Sequence, residues 1–253
     1  MSLAVAAILA ALVGALIGSF LNVVIWRLPR GESIVSPPSH CPQCGTPVKP
    51  YDNVPVLSWL LLRGRCRHCS EPIPVRYPLV EALTAVLFAL VPITQGVDSD
   101  VWAGFLLVLV LVPCTFIDID HRIIPNKITY PAVPLSLVVI AVFQRDELTS
   151  HVVGGLAAFL FLGLAWFFYP AGMGLGDVKL ALVLGLLLGR AVGPALAVAM
   201  VAGSLTGFGI MAVKGVKAGR KTFIPFGPFL ALGGLVGLWA GDAIVDWYLG
   251  SFT

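Results

Sequence analysis

Two sets of side chains in this 253-residue sequence have the types and spacing to do chemistry. The first is a pair of CxxC segments, Cys41-Pro-Gln-Cys44 and Cys66-Arg-His-Cys69, with 21 residues between them. Each pair can grip one tetrahedral ion from a tight turn, and two pairs complete a four-thiolate zinc site. Two disulfides or a redox-active pair are the alternative readings. Four thiolates leave no open coordination position, so such a zinc would be structural and not a Lewis acid. His40 and His68 flank the thiolates as solvated or neighbouring residues. Cys114 stands alone in an apolar run and reads as a small core residue.

The second set is acidic. Asp118 and Asp120 lie in Phe116-Ile-Asp-Ile-Asp-His-Arg-Ile-Ile-Pro-Asn126, and Asp177 closes Gly174-Leu-Gly-Asp177. Ionisable groups beside membrane spans are costly and are candidates for function. Two nearby carboxylates cannot both ionise and so share a proton. The ionised one can activate water while the protonated one polarises an amide carbonyl. The glycines before Asp177 let backbone and a peptide substrate approach closely. The structural alternatives are a helix N-cap for Asp177 and an interfacial turn for Asp118 and Asp120. The acids of the insert (Glu32, Asp52, Glu71) and of the outer loops and C-terminal region (Asp98, Asp100, Asp146, Glu147, Asp242, Asp246) read as solvated.

The elements that must position these groups are membrane helices. The sequence is 58% hydrophobic and 11% charged, with a mean hydropathy of +0.95; soluble domains carry about a quarter charged residues. No basic run interleaved with aromatics is present, so nucleic acid is not an expected partner. A bilayer core needs about 20 apolar helical residues. Eight spans are expected, at 3–25, 79–95, 101–117, 128–143, 152–169, 175–189, 191–212 and 226–248, the sixth and seventh splitting at Arg190–Pro194, where Gly193-Pro194 should interrupt a helix. The first lacks a preceding basic residue and a cleavage site, so it reads as a retained helix. With the N-terminus outside, 14 of the 16 Lys and Arg residues fall on the cytoplasmic side, leaving Arg145 and Arg190 outside. Both termini are then outside, and the cysteine insert is cytoplasmic, where disulfides are disfavoured. Two spans separate Asp118 from Asp177, so both return to the cytoplasmic face. Lys214, Lys217, Arg220 and Lys221 read as anchors on anionic lipid.

These residues resemble the bifunctional type IV prepilin peptidases, leader peptidase/N-methyltransferases of the GxGD group of membrane aspartyl proteases. The resemblance is carried by Gly18–Pro29, the paired CxxC insert, Arg76-Tyr-Pro-Leu-Val-Glu81, Phe116–Asn126, Gly174–Lys179 and Pro225-Phe-Gly-Pro-Phe229, in the family's order. It implies that Asp118 and Asp177 are catalytic. It also implies cleavage of the basic leader of prepilins or pseudopilins after a glycine, then methylation of the new N-terminus with S-adenosylmethionine. No glycine-rich nucleotide turn of the soluble type is present. Glu81 and the insert are the candidates for the methyl-donor site, with a role for Glu81 at the helix N-terminus as the alternative. Gly64 is either a required tight turn or a simple loop glycine, and Glu32 or Asp120 could meet a basic leader.

The expected architecture is an all-α inner-membrane protein of about eight spans, with a zinc-binding insert between the first two. Its parts are the first helix at 1–26, the insert at 27–78, associated with methyl transfer, and a seven-helix peptidase part at 79–253. The partners are prepilins in the membrane and the bilayer itself. A transporter using the aspartates and a zinc-stabilised assembly protein that binds pilins without cutting them are the competing readings. Transporters place such acids near the bilayer midplane, often with repeat symmetry, which the sequence lacks.

Overall fold

A computed structural model describes residues 2–98, 100–170, 172–216 and 222–251. Helices make the framework, and no β-sheet occurs among the described residues. The chain divides into two compact units, Met1–Val101 and Trp102–Thr253. The helix that follows the insert thus groups with the first helix, whereas the sequence reading assigned it to the later spans.

In the first unit, α1 (Leu3–Arg27) packs on α3 (Arg76–Gln95), and the insert between them carries the short α2 (Leu57–Leu61). Ser2 caps α1 by accepting from the Val5 N–H at 3.4 Å. Ala6, Ala10, Gly14 and Gly18 recur every four residues and form the buried stripe of α1. A Cβ on Gly14 would lie 2.6 Å from Phe88 Cβ, and one on Gly18 only 2.8 Å from Glu81 Cα. Lipid is as apolar as leucine, so helices in a bilayer associate through such close backbone packing. The opposite face exposes Ile8, Leu12 and Leu16, as a lipid-facing surface does.

The insert is held by polar contacts more than by a core. Trp59 Nε1 donates to the Ile73 carbonyl at 3.0 Å, and Ser58 Oγ to the Tyr51 carbonyl at 3.0 Å. Gly64 has a φ of +66°, and a Cβ there would lie 2.7 Å from the Trp59 ring. It is therefore a required turn, resolving the alternative left open by the sequence. Asp52, read as solvated, is instead ion-paired with Arg67.

The second unit contains α4 (Val101–His121, entered at Trp102), α5 (Asn126–Phe143), α6 (Leu148–Phe168), α7 (Leu175–Leu188), α8 (Val192–Lys214) and α9 (Gly227–Gly250). Seven stretches among the described residues of the whole chain are long and apolar enough to cross a bilayer. One of them, Leu175–Lys214, is 40 residues long. It is broken into α7 and α8 by a turn at Gly189–Ala191, where Gly189 adopts a φ of +55°. The turn falls at Arg190, where the expected spans 175–189 and 191–212 divide; Gly193-Pro194 does not itself interrupt the helix, because Pro194 is tolerated in the first turn of α8, where its missing N–H has no intrahelical partner anyway. Of the expected anchors, Lys217, Arg220 and Lys221 lie outside the described residues.

α7 is the hub of this unit. It has 14 residues, about 21 Å of helix, and is buried on nearly every side, with Leu180, Ala181, Val183 and Leu184 fully enclosed. Leu107 and Leu111 of α4 and Leu230 of α9 complete the same core. α6 runs antiparallel to α7 at backbone contact: a Cβ on Gly185 would lie 2.4 Å from the Gly154 carbonyl oxygen. His151, also buried, makes a 2.9 Å hydrogen bond with the Leu186 carbonyl. α9 begins beside Asp118 and ends where Asp242 and Asp246 bind Arg190, so it is parallel to α7 and antiparallel to α8. Asp242 and Asp246, read as merely solvated, therefore pair with Arg190 at the end of the unit opposite Asp118.

Gly185→Ala should force α6 and α7 apart and cost about 1–3 kcal/mol of stability, whereas Gly207→Ala, with open space at its Cβ, should be neutral. Thermal unfolding of both variants in detergent checks this.

Candidate functional site

The acidic site is assembled at the ends of three helices of the second unit. α4 continues through Ile117 to His121, so Asp118 sits in its last turn and not beyond its end. The Arg122 N–H closes that turn on the Asp118 carbonyl at 2.8 Å, and Arg122 leaves the helix with a left-handed φ of +57°. The chain then runs through Ile123 and the buried Ile124 to Pro125, which precedes α5. A Cβ on Gly176 would lie 2.8 Å from Ile124 Cβ and 3.4 Å from its backbone N and O. The bare backbone at Gly176 is what lets the start of α7 settle against the segment leaving α4. Lys179 ties the same corner together, donating to Asn126 Oδ1 at 2.8 Å and to the Tyr130 hydroxyl at 3.1 Å.

Both carboxylates are buried, Asp118 at 5% and Asp177 at 8% exposure. The segments that carry them meet where Gly176, one residue before Asp177, lies against Ile124, six residues after Asp118. Each has one oxygen held by a backbone N–H at a helix start. Gly227, the first residue of α9, donates to Asp118 Oδ2 at 2.8 Å. Gly174 donates to Asp177 Oδ2 at 3.1 Å. The N-cap of α7 is Gly174, so Asp177 is the third residue of the helix and reaches back to its start. Helix N-termini present both orphan N–H groups and the positive end of the dipole, which suits an acid. Asp120 is exposed, as are His121 and Arg122; the Arg122 guanidinium stands 5.8 Å from the Phe223 ring centroid.

Gly227 was not assigned a role from the sequence. Its motif, Pro225-Phe-Gly-Pro-Phe229, was noticed, and the signal lay in the glycine before Pro228: a Cβ there would be 2.8 Å from Asp118 Oδ2.

The cysteines gather in the insert of the first unit. All four Sγ atoms lie within 4.8 Å of one another, with Cys41 and Cys69 at 3.7 Å. A tetrahedron of zinc–sulfur bonds of about 2.3 Å sets sulfur atoms roughly 3.8 Å apart. The donor set fits zinc, and all four cysteines are free of disulfides. The two loops are alike. Cys41 and Cys66 donate N–H bonds to the Thr46 and Glu71 carbonyls at 3.0 and 2.8 Å. Gly45 and Ser70 each follow a pair in the left-handed conformation and donate back to the first cysteine.

Without a cation the thiols divide. The Thr46 hydroxyl, 3.3 Å from Cys44 Sγ, and the Thr46 backbone N–H draw Cys44 down to about 6. The Glu71 N–H also draws on Cys69, but lost hydration and the neighbouring thiols push it up to about 12. Four thiolates this close need a divalent cation to coexist.

Glu81 is 9% exposed and lies six residues into α3, not at its N-terminus. Its Oε2 accepts from the Val56 N–H at 2.7 Å, at a residue whose φ is +60°.

Residues 12–94 match the Bacterial Peptidase A24 N-terminal domain, and residues 105–216 match the Type IV leader peptidase family. The chain is 39% identical to a prepilin leader peptidase/N-methyltransferase of Aeromonas hydrophila over 94% of its own length and 91% of that protein. To proteins of the same name from Neisseria gonorrhoeae and Legionella pneumophila it is 36% and 34% identical, over 95% and 92% of this chain and 94% and 91% of theirs. No solved structure matches it.

Metal analysis of the purified protein should find about one zinc per chain, and Cys44→Ser or Cys69→Ser should lose it along with protease resistance of the insert. Full retention of zinc by both variants would contradict the site.

Proposed function

Because the chain belongs to the type IV leader peptidase family, we propose that it is a multi-pass membrane endopeptidase that cuts the basic leader from type IV prepilins and pseudopilins after a glycine, with Asp118 and Asp177 as its catalytic pair, and then N-methylates the new terminus. The observation that carries the catalytic assignment is two buried carboxylates at the ends of α4 and α7 that the contact of Gly176 with Ile124 brings to one place, each tied through one oxygen to a helix-start N–H.

That arrangement accounts for the chemistry. The ionised carboxylate takes a proton from water as the water oxygen attacks the scissile carbonyl. The protonated partner gives its proton to the carbonyl oxygen, so the tetrahedral intermediate carries no net oxyanion. As it collapses, the C–N bond breaks, the carbonyl re-forms, and the departing nitrogen takes a proton to leave as an amine. Gly227 and Gly174 fix the Oδ2 atoms and so aim the Oδ1 atoms, which limits the motion lost on reaching the transition state. The bare, exposed backbone of Gly174 gives an extended substrate segment room beside Asp177.

The insert is a structural zinc module: Cys41, Cys44, Cys66 and Cys69 would occupy every coordination position of the ion. When bound, S-adenosylmethionine would supply the methyl group that the freed amine takes in exchange for a proton. Glu81 is the residue assigned to that donor.

The distribution of Lys and Arg supports an inner-membrane location with the insert and the aspartates cytoplasmic and the termini outside. The substrate then approaches with its apolar helix in the bilayer and its leader in the cytoplasm.

Asp118→Asn and Asp177→Asn should each lower cleavage of a prepilin-type peptide on the order of 10³-fold or more while zinc content stays that of wild type. Normal cleavage by either variant would sink the assignment. Gly227→Ala, which crowds Asp118 Oδ2, should reduce turnover by roughly 10²-fold, measured by the same cleavage assay.

A further inference from the structure

The first unit encloses a cavity of about 800 Å³ beneath the insert, bounded by α1, α3 and the second cysteine loop. That is the size class of pockets that bury a nucleoside-sized ligand. Its wall includes the aromatic Trp59 and Tyr77, and it carries charged side chains, of which Glu32, Lys49 and Glu71 are exposed. Two others, Arg27 and Glu81, have opposite charges and are buried, each at 9% exposure. Arg27 Nη1 donates to the Ser33 and Pro37 carbonyls at 3.0 and 2.8 Å, and Glu81 Oε2 accepts from Val56. Neither has an ion-pair partner among the described residues. The nearby Asp52 and Arg67 are different, since they neutralise each other. Buried charges without partners are expensive, and a pocket that keeps two of opposite sign is built for a ligand that carries both.

We infer that this cavity is the seat of the methyl donor, Arg27 taking the α-carboxylate of its amino-acid end and Glu81 one of its cationic groups. This rests on the methyltransferase reading above and adds to it the pocket, its anionic half and a role for Arg27. The shape of the charge fits. S-adenosylmethionine carries a carboxylate, an ammonium and a sulfonium at one end and a flat apolar adenine at the other, which the aromatic wall suits. A guanidinium is a natural carboxylate reader, through paired N–H groups. Holding the donor's charged end against Glu81 also desolvates it only where a carboxylate compensates.

The test is binding, read by calorimetry on the full chain in detergent, with S-adenosylmethionine and S-adenosylhomocysteine as probes. Zinc content reports that each variant is folded. Glu81→Gln keeps size and hydrogen bonding, and should weaken S-adenosylmethionine binding about tenfold or more. A loss shared by S-adenosylhomocysteine puts Glu81 on the ammonium, and a loss confined to S-adenosylmethionine puts it on the sulfonium; either supports the inference. Arg27→Gln should weaken both probes alike, and Arg27→Lys should restore part of the affinity. Wild-type binding with zinc-replete variants that bind equally well overturns the inference alone. A wild-type chain that binds neither probe overturns the methyltransferase reading and the inference together.

Discussion

Close approach of backbones around α7 is the constraint on which the second unit depends. A 14-residue helix is too short to be fixed by length of contact. It is fixed by depth. Gly185 meets Gly154 at the end toward Arg190, and Gly176 meets Ile124 at the end toward Asp118. Between these two points leucine, valine and alanine fill the space on all sides. In a bilayer no water is expelled when helices meet, so dispersion at short range supplies most of the attraction, and glycine is the residue that permits it. The same packing decides where Asp177 lies. Had the start of α7 kept a Cβ against Ile124, the carboxylate would stand further from α4.

Burying two acids side by side is unfavourable unless their oxygens find donors. The unit answers with helix starts. Gly174 and Gly227 each offer an N–H that no intrahelical carbonyl can use, so the fold meets the acids with groups that would otherwise be orphans. The arrangement fixes one oxygen of each carboxylate, Oδ2, on a helix start. In the first unit the division is different. There a thiolate cluster, a tryptophan-backed turn and one buried carboxylate organise a polar loop that has little apolar core of its own. The Val56 backbone, held at a φ of +60°, is secured by Glu81 from the helix beneath it.

Much of this was legible in the order of residues. The CxxC pairs announce a metal site because four sulfur ligands at two turns leave few other uses. Asp118 and Asp177 announce themselves as acids in apolar surroundings, and an even number of intervening spans brings them to one end. Helix boundaries were less legible. Polar residues ending α4 looked like a loop, yet its helix runs on to His121 because Arg122 can take the left-handed conformation that closes it. The split near Arg190 was legible, but the turn there is made by Gly189 and not by Pro194. The contact of Gly227 with Asp118 spans 109 residues, and the contact is made by a backbone N–H, which no side-chain pattern encodes. The partnership of Asp52 with Arg67 was equally silent, since exposed loops hold many such acids without partners. Arg27 was visible only as a charge marking the end of a span; its burial against two carbonyls follows from how the insert folds back over α1.

The central claim is that Asp118 and Asp177 act as one unit on one peptide bond. A double-mutant cycle on leader cleavage tests it most directly, comparing Asp118→Asn, Asp177→Asn and the double variant at matched zinc content. Residues that share a single proton-transfer step give losses that do not multiply. The account predicts that the double variant is no slower than the slower single variant. A double variant slower by the product of the two single losses would mean that the carboxylates act independently, and the shared-proton mechanism would be wrong.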